Sequence, residues 1–181
     1  AGLLRKPKTN DSIIPLHVVQ EGADVSERVA ESEILLGKAV VQATALDIPV
    51  QPEIRIDLNV ASGIMHALKE QRISMLVIGW YGSYSQRNIF FHSVLKQVIE
   101  QSTQMIVVSR IVQPLNITKR IILTIPPFFE WQAGHRTALG MIKNLAVQLG
   151  ARIHCVVEEK HADILRSLIL SISPKCPVTF F

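Results

Sequence analysis

Short apolar runs rich in β-branched residues alternate with longer amphipathic segments along this chain, and this alternation constrains the fold more than any other feature. Residues 13–19 (Ile-Ile-Pro-Leu-His-Val-Val) and 105–109 (Met-Ile-Val-Val-Ser) are runs of the first kind, and they predict buried strands. Residues 26–45 and 134–149 carry apolar positions at helical spacing,. Strands that alternate with helices predict parallel sheets covered by helices on both faces.

The pattern continues to the end of the chain and repeats. Further strands are expected over 50–56, 75–78, 120–125, 153–157 and 178–181, and further helices over 60–71, 93–101 and 161–170,. Residues 152–158 resemble residues 14–20, which predicts two tandem copies of one unit about 140 residues apart. The first copy, 1–113, then lacks its opening strand, and the second, 114–181, lacks its later elements.

The distribution of charge narrows the possible function classes. The formal net charge is +4, from 19 lysines and arginines against 15 acidic residues, and no basic run exceeds two residues. Nucleic-acid surfaces need clustered basic side chains, preferably with exposed aromatic residues between them, so no nucleic-acid partner is expected. The uncharged stretches are shorter than the roughly 18 residues that cross a bilayer, so this segment is not expected to insert into a membrane.

Cysteine and histidine placement gives no sign of a metal site. Cys155 and Cys176 lie in apolar runs and are expected to be reduced structural thiols. His17 and His154 occupy equivalent strand positions and are expected to be hydrogen-bonded core residues, because no spacing of cysteine, histidine and carboxylate supports coordination. No serine stands in a Gly-x-Ser-x-Gly context. We therefore predict no metal and no catalytic residue.

The loop after residues 75–78 has the composition of a phosphate-binding loop. Gly79 and Gly82 follow the strand, and Ser93 is expected to open the next helix. Glycines let backbone amides approach a phosphate, and a helix N-terminus adds partial positive charge. Ligands of open parallel sheets bind at the carboxyl ends of the strands, where this loop lies. Spacing alone leaves two interpretations open, a nucleotide site and a plain connecting loop.

Trp80 directly follows the first glycine of this loop. Its large side chain fits the core, an interface, or a lid over a bound base. Core or interface is the favoured interpretation, because large aromatic side chains most often anchor such contacts.

The same loop resembles that of the universal stress proteins, whose nucleotide-binding members carry Gly-x2-Gly-x9-Gly-Ser/Thr after the fourth strand. Gly79, Gly82 and Ser93 stand at those spacings, and His92 occupies the position of the third glycine. Residues 16–19 resemble the family's Leu-His-Val segment, whose valine backbone meets the adenine, so the resemblance implies that Val18 contacts the base. The implied ligand is ATP, ADP or AMP.

His92 bears on whether that site binds nucleotide. An imidazole in place of a glycine adds bulk where a phosphate and close backbone would lie, and it is costly if φ is positive there. A protonated histidine instead pairs with a phosphate and makes binding pH-dependent. We favour weakened or lost binding. In the second copy, residues 121–127 end in prolines with no acidic residue, so a second nucleotide site is not expected.

A second resemblance covers most of residues 13–158. Residues 55–64, 77–80 and 114–120 resemble the C-terminal cytosolic region of bacterial cation:proton antiporters, in which two stress-protein-like domains follow the exchanger. The resemblance implies tandem flavodoxin-like units of the adenine nucleotide alpha hydrolase-like type, three-layered with parallel sheets and both incomplete here. It also implies a non-enzymatic regulatory tail on the cytoplasmic face of the inner membrane, attached to the transmembrane antiporter portion of the same polypeptide.

Two alternatives remain open. The first is a free-standing tandem universal stress protein that binds ATP or AMP. The second is a nucleotide hydrolase, which needs a general base or a metal-binding acid beside the loop. The apolar strand 105–109 is expected at a sheet edge, where it favours pairing with a second copy or another subunit, so a homodimer is also expected.

Overall fold

The computed structural model describes residues 2–4, 11–80 and 86–181, without the side chains of residues 86–91. Most of the described chain divides into an N-terminal unit, Asn10–Arg110, and a C-terminal unit, Ile111–Phe181. Both units have the expected α/β architecture, in which short parallel strands alternate with helices. None of the helices in the described ranges is long and apolar enough to cross a membrane.

The N-terminal unit contains four strands and three helices: β1 (Leu16–Gln20), α1 (Val25–Thr44), β2 (Glu53–Asp57), α2 (Val60–Glu70), β3 (Met75–Gly79), α3 (Gln86–Gln101) and β4 (Met105–Ser109). Strand β1 pairs in parallel with β2, and β3 pairs in parallel with β4. The two pairs are separate sheets, whereas the sequence predicts one.

Helix α2 packs against both sheets of this unit. At its start the Asn59 side chain accepts a hydrogen bond from the Ser62 amide at 2.9 Å and so caps the helix. One part of the helix lies on β1, where a Cβ added to Gly63 would stand 2.5 Å from Cγ1 of Val18. Other apolar residues join a core with β3, β4 and α3 that includes Ala61, Val94, Val98, Leu76 and Ile106.

An ion-pair network ties β2 to the end of α2. The Arg55 guanidinium donates to Glu53 at 2.9 Å and to both carboxylate oxygens of Glu70. These hydrogen bonds, Glu70 first, hold the pKa of Arg55 above its usual range. The network therefore links β2 to the last residue of the helix that follows it.

The C-terminal unit contains β5 (Arg120–Thr124), α4 (His135–Leu149), β6 (Arg152–Val156), α5 (Ala162–Ser171) and β7 (Val178–Phe180). Its three strands form one parallel sheet in the order β5-β6-β7. Helices α4 and α5 contribute Leu139, Leu165 and Ile169 to a core with Cys155 of β6. Both cysteines are free, as expected, and Cys155 is buried.

The opposite face of this sheet is open to solvent, which corrects the prediction that helices cover both faces. Ile122 of β5 is 74% exposed and Phe181 is 71% exposed. Residue 122 lies on the face away from Leu123, which joins the core, because side chains alternate along a strand,. Both helices of the unit pack on the Cys155 face, so nothing in the described chain of this unit covers the other.

Lys143 of α4 is buried and closes the end of α5. Its ammonium donates hydrogen bonds to the carbonyl oxygens of Ile169, at 2.9 Å, and Ile172. Burial lowers the pKa of this lysine. The last carbonyls of a helix have no partner within it, so the lysine satisfies groups that would otherwise be buried unpaired.

Candidate functional site

The carboxyl ends of β3 and β4 meet beside the predicted phosphate-binding loop. Gly79, the last residue of β3, pairs in register with Ser109, the last residue of β4. The Trp80 amide donates to the Ser109 carbonyl at 2.5 Å, and the Ser109 hydroxyl donates to the Ile78 carbonyl at 3.4 Å. These bonds fix the backbone at the point where the loop leaves the sheet.

Trp80 contacts His92 across the loop. The two rings meet edge to face, with centroids 4.8 Å apart and planes at 85°. His92 is exposed and lies on α3, whereas Trp80 is half-buried at the end of β3. His92, at the position of the third motif glycine, therefore packs against Trp80, which follows the first motif glycine. This contact places Trp80 against α3, in keeping with its predicted packing role.

Ser93 does not lie at a helix N-terminus, and the prediction that it opens the helix is wrong. Helix α3 begins at Gln86, so Ser93 lies about two turns inside it. The residues between, Gln-Arg-Asn-Ile-Phe-Phe, contain neither glycine nor proline, and nothing in them interrupts helical backbone. Ser93 is exposed on the helix surface, which separates its hydroxyl from the amides of the first turn.

Val18 lies in the other sheet of the unit, on β1. The amide of Glu53 donates to Pro15, and the amide of Glu21 donates to Asp57. Because backbone groups alternate along a strand, odd-numbered residues of β1 bond to β2, and the amide and carbonyl of Val18 point away from it. They face an edge of β1 that no strand of the described chain pairs with.

The structure therefore places four of the five predicted ligand residues and does not unite them in one sheet. Val18 is on the β1-β2 sheet, and Gly79 is at the end of the β3-β4 sheet, with His92 and Ser93 on the following helix. Gly82 lies outside the described residues. Helix α2 is the element that contacts both sheets.

A histidine–carboxylate pair at the carboxyl end of β2 was not predicted from the sequence. One oxygen of Asp57 accepts from the Leu58 amide at 2.9 Å, and the other pairs with Nδ1 of His66 at 2.7 Å. The hydrogen bond from His66 lowers the pKa of Asp57 below its usual range. The only signal in the sequence was a histidine on the helix that follows an acidic strand end.

In the C-terminal unit, an acidic residue does follow β5, at the end where the sequence suggested prolines and no acid. Glu130 pairs with His161 at 3.5 Å, and its other carboxylate oxygen is buried with no hydrogen-bond partner among the described residues. Phe128, two residues earlier, has a left-handed backbone with φ of 63° and stacks edge to face on His161. The imidazole of His161 therefore contacts both the Phe128 ring and the Glu130 carboxylate. Within the described ranges, no three metal-binding side chains are grouped so that they could hold an ion.

Comparison with known proteins identifies the fold. Residues 4–110, more than half of the chain, match the model of the universal stress protein family. The chain belongs to that family. The match covers the N-terminal unit with its split sheet, so universal stress protein architecture accounts for β1 to β4 and for the loop after Gly79.

A relative adds a second finding. The Na(+)/H(+) antiporter NhaS5 of Synechocystis sp. (strain ATCC 27184 / PCC 6803 / Kazusa) is 35% identical to this chain over 66 residues. That match spans 36% of this chain and 9% of the antiporter. This universal stress protein chain is therefore similar to a small part of a much longer transport protein.

Proposed function

We propose that this chain is a non-catalytic regulatory domain of a monovalent cation:proton antiporter, on the cytoplasmic side of the inner membrane. The observation that carries the proposal is the 35% identity to part of a sodium/proton antiporter, within a chain of the universal stress protein family. In this proposal the transmembrane exchanger belongs to the same polypeptide, and the domain biases exchange through its contacts with that portion or with a second copy.

We further propose that the N-terminal unit senses adenine nucleotide, as ATP, ADP or AMP. Three features support this. The backbone of Val18 faces an edge of β1 with which no strand of the described chain pairs. The ends of β3 and β4 are fixed by the bond between Trp80 and Ser109, and α3 carries His92 into contact with Trp80. In this arrangement the base meets Val18 and the phosphates lie near Gly79, with Gly82, His92 and Ser93 as further contacts.

The coupling step follows from the contact between Trp80 and His92. A nucleotide phosphate that approaches the end of β3 meets the imidazole of His92, which stands where nucleotide-binding universal stress proteins carry glycine. The phosphate therefore either displaces the His92 side chain or pairs with its protonated form. Either response changes the contact that joins α3 to β3, and α3 is packed on α2. The signal then passes to the surface of the unit through the helices.

Isothermal titration of ATP, ADP and AMP at pH 6 and pH 8 tests the nucleotide part of the proposal. We expect millimolar or tighter binding that strengthens at pH 6, because a protonated imidazole pairs with phosphate. His92→Gly restores the third glycine and is expected to bind equally at both pH values. His135→Gly removes an imidazole from the C-terminal unit and serves as the matched control. No heat and no thermal shift with any nucleotide at either pH would overturn nucleotide sensing.

Transport measurements test the antiporter part. In everted vesicles that carry the whole antiporter, deletion of the region equivalent to this chain is expected to change the rate or the pH dependence of cation/proton exchange. If the reading frame of this chain encodes no membrane-spanning segments, the second candidate is correct, a free-standing tandem universal stress protein. The resemblance of residues 152–158 to 14–20 supports that candidate equally well.

A further inference from the structure

A cluster of cations lies at the amino end of the sheet in the C-terminal unit, opposite the edge at which ligands of parallel sheets usually bind. Lys119 directly precedes β5, Arg120 opens β5, Arg152 opens β6, and Lys175 precedes β7. Because all three strands are parallel, their amino ends lie at one edge. These four residues, which we call the basic pocket, line a cavity of about 660 Å³.

No acidic side chain lines this cavity in the described part of the chain. Ion pairs elsewhere involve Arg55, His66, Lys96 and His161, and none of them includes a residue of the basic pocket. The four cations of the basic pocket therefore have no acidic side chain of the described chain to offset their mutual repulsion.

Arg120 and Arg152 show the cost of this arrangement most directly. They are partners in the register of β5 and β6, and both side chains are exposed. Like charges directly opposite on neighbouring strands destabilise a sheet. A surface that keeps such a pair, with two lysines beside it, is stabilised by an anion that binds between them.

Two backbone carbonyls in the cavity wall are already hydrogen-bonded. The C-terminal end of α4 forms part of the wall, and free carbonyls there would repel negative charge. Those of Ala146 and Val147 instead accept hydrogen bonds from the amides of Ala151 and Gly150, at 2.8 and 3.2 Å. Gly150 makes this closure with a left-handed backbone, φ 59°, which favours glycine.

We propose that the basic pocket binds a phosphate-bearing anion with at least two negative charges. Guanidinium groups present donors in a fork that matches phosphate oxygens, and two of them on adjacent strands act on one group or on neighbouring groups. The volume is that of a ligand pocket rather than of a single ion site. This site is distinct from the proposed nucleotide site, because it lies in the other unit and at the other end of its strands.

The neighbouring surface indicates two sources for the phosphate. Arg120 and His154 also line a second cavity of about 530 Å³ on the open sheet face, with Ile122, Val156 and Phe181. Charge beside exposed apolar surface suits a lipid whose headgroup carries phosphate. A soluble polyphosphate would contact only the charged part of this surface, which is the basic pocket.

Binding of inorganic tripolyphosphate to the whole 181-residue chain is measured by calorimetric titration and by thermal shift. Arg120→Gln/Arg152→Gln is expected to bind at least about tenfold more weakly, because charge-assisted hydrogen bonds are lost. Arg136→Gln/Lys160→Gln removes the same charge from exposed positions of the same unit outside the pocket and is expected to bind like wild type. Without anion, the arginine variant is expected to have a raised melting temperature, which the control lacks.

Sedimentation with vesicles distinguishes the source. If vesicles that contain phosphatidic acid retain wild type and not the arginine variant, and vesicles of phosphatidylcholine alone retain neither, the phosphate belongs to a lipid headgroup. If neither vesicle binds while tripolyphosphate does, the ligand is soluble. Equal tripolyphosphate binding by wild type and the arginine variant, or none by wild type, overturns the proposal. Should the arginine variant not fold, Lys119→Gln/Lys175→Gln takes its place with the same expected results.

Discussion

The indole of Trp80 meets the imidazole of His92 edge to face, with ring centroids 4.8 Å apart. This contact joins the residue after β3 to a residue about two turns inside α3,. It makes His92 a packing residue as well as the occupant of a glycine position in the family's motif. Loss of the imidazole therefore has a structural effect that is separable from any effect on a ligand.

The first prediction concerns this contact. His92→Ala is expected to lower the free energy of unfolding by about 1 kcal/mol, the usual scale of an aromatic edge-to-face pair. In a Trp131→Phe background Trp80 is the sole tryptophan, and its emission is expected to shift to longer wavelength as the indole becomes wetter. His135→Ala removes a comparable contact with Phe129 in the other unit and should leave the emission unchanged. An unaltered spectrum in His92→Ala would contradict the contact.

The second prediction concerns the close approach of α2 to β1. A Cβ on Gly63 would lie 2.5 Å from Cγ1 of Val18 and 3.3 Å from Cβ of Asp57, so the helix must move to admit it. Gly63→Ala is expected to destabilise the protein by about 1–3 kcal/mol through overpacking. The matched control is Gly37→Ala in α1, where a new Cβ has no neighbour within 4 Å.

The Gly37→Ala control is expected to stabilise by roughly 0.5–1 kcal/mol, because alanine loses less backbone entropy than glycine on forming a helix. Chemical denaturation of the two variants measures both effects. If Gly63→Ala proves as stable as Gly37→Ala, then α2 does not pack on Val18 as described here. The pair separates helix propensity, which both variants share, from the steric effect, which only one has.

The local sequence pattern correctly predicted elements that depend on neighbouring residues. It failed for features that depend on residues far apart in the sequence. The apolar run over residues 105–109 predicted strand β4, which lies there. The start of α3 was misplaced because Gly79, Gly82 and the serines suggested a loop as far as residue 92, whereas Gln86–Gln101 is helical. The open face of β5-β6-β7 was also missed, since Ile122 has the same apolar pattern whether or not a helix covers it.

The candidate site shows the same division. Glycine spacing placed Gly79 at a strand end, where it lies. The hydrogen bond between Asp57 and His66 spans a strand end, a turn and two helical turns, and no periodicity signals such a pair. The basic pocket could not be predicted from the sequence for a related reason. Its residues are scattered singly or in one pair along the sequence, and the parallel register of three strands brings them together.

The third prediction follows from the pair between Asp57 and His66. The folded-state pKa of Asp57 is depressed, chiefly by the hydrogen bond from His66, so its contribution to stability is present above the unfolded pKa and is lost as pH falls through the folded one. His66→Ala is expected to raise the pKa of Asp57 towards its ordinary value and so to weaken the acid destabilisation that this carboxyl contributes. Carbon-detected NMR titration of the Asp57 carboxyl measures the shift.

His161→Ala is the control for that titration, because it breaks a histidine–carboxylate pair with Glu130 in the C-terminal unit. The Asp57 titration should be identical in this variant and in wild type. If His66→Ala leaves the pKa of Asp57 unchanged, the Leu58 amide is sufficient to depress it. That amide is the other hydrogen-bond partner of the carboxylate.

The fourth prediction concerns the buried Lys143. Burial lowers its folded-state pKa, so between that value and the ordinary lysine value the unfolded chain binds more protons than the folded one. Stability therefore rises with pH across this window. Lys143→Met is expected to abolish that rise and, because the carbonyls of Ile169 and Ile172 lose their donor, to cost about 1–3 kcal/mol at neutral pH.

The two thiols change the stability with pH in the opposite direction. Their contribution must therefore be the same in the proteins that are compared. Burial raises the pKa of Cys155 from 9.0 to about 11, so its contribution to stability is full below pH 9.0 and is lost as pH rises towards 11. Burial also raises the pKa of Cys176, which Lys143 pulls back down. Unfolding is therefore compared in a Cys176→Ser background, where the Cys155 contribution is common to both proteins and the difference reports Lys143. Lys160→Met, at an exposed position of the same unit, should keep the wild-type pH dependence, and a rise that survives in Lys143→Met would assign it to another group.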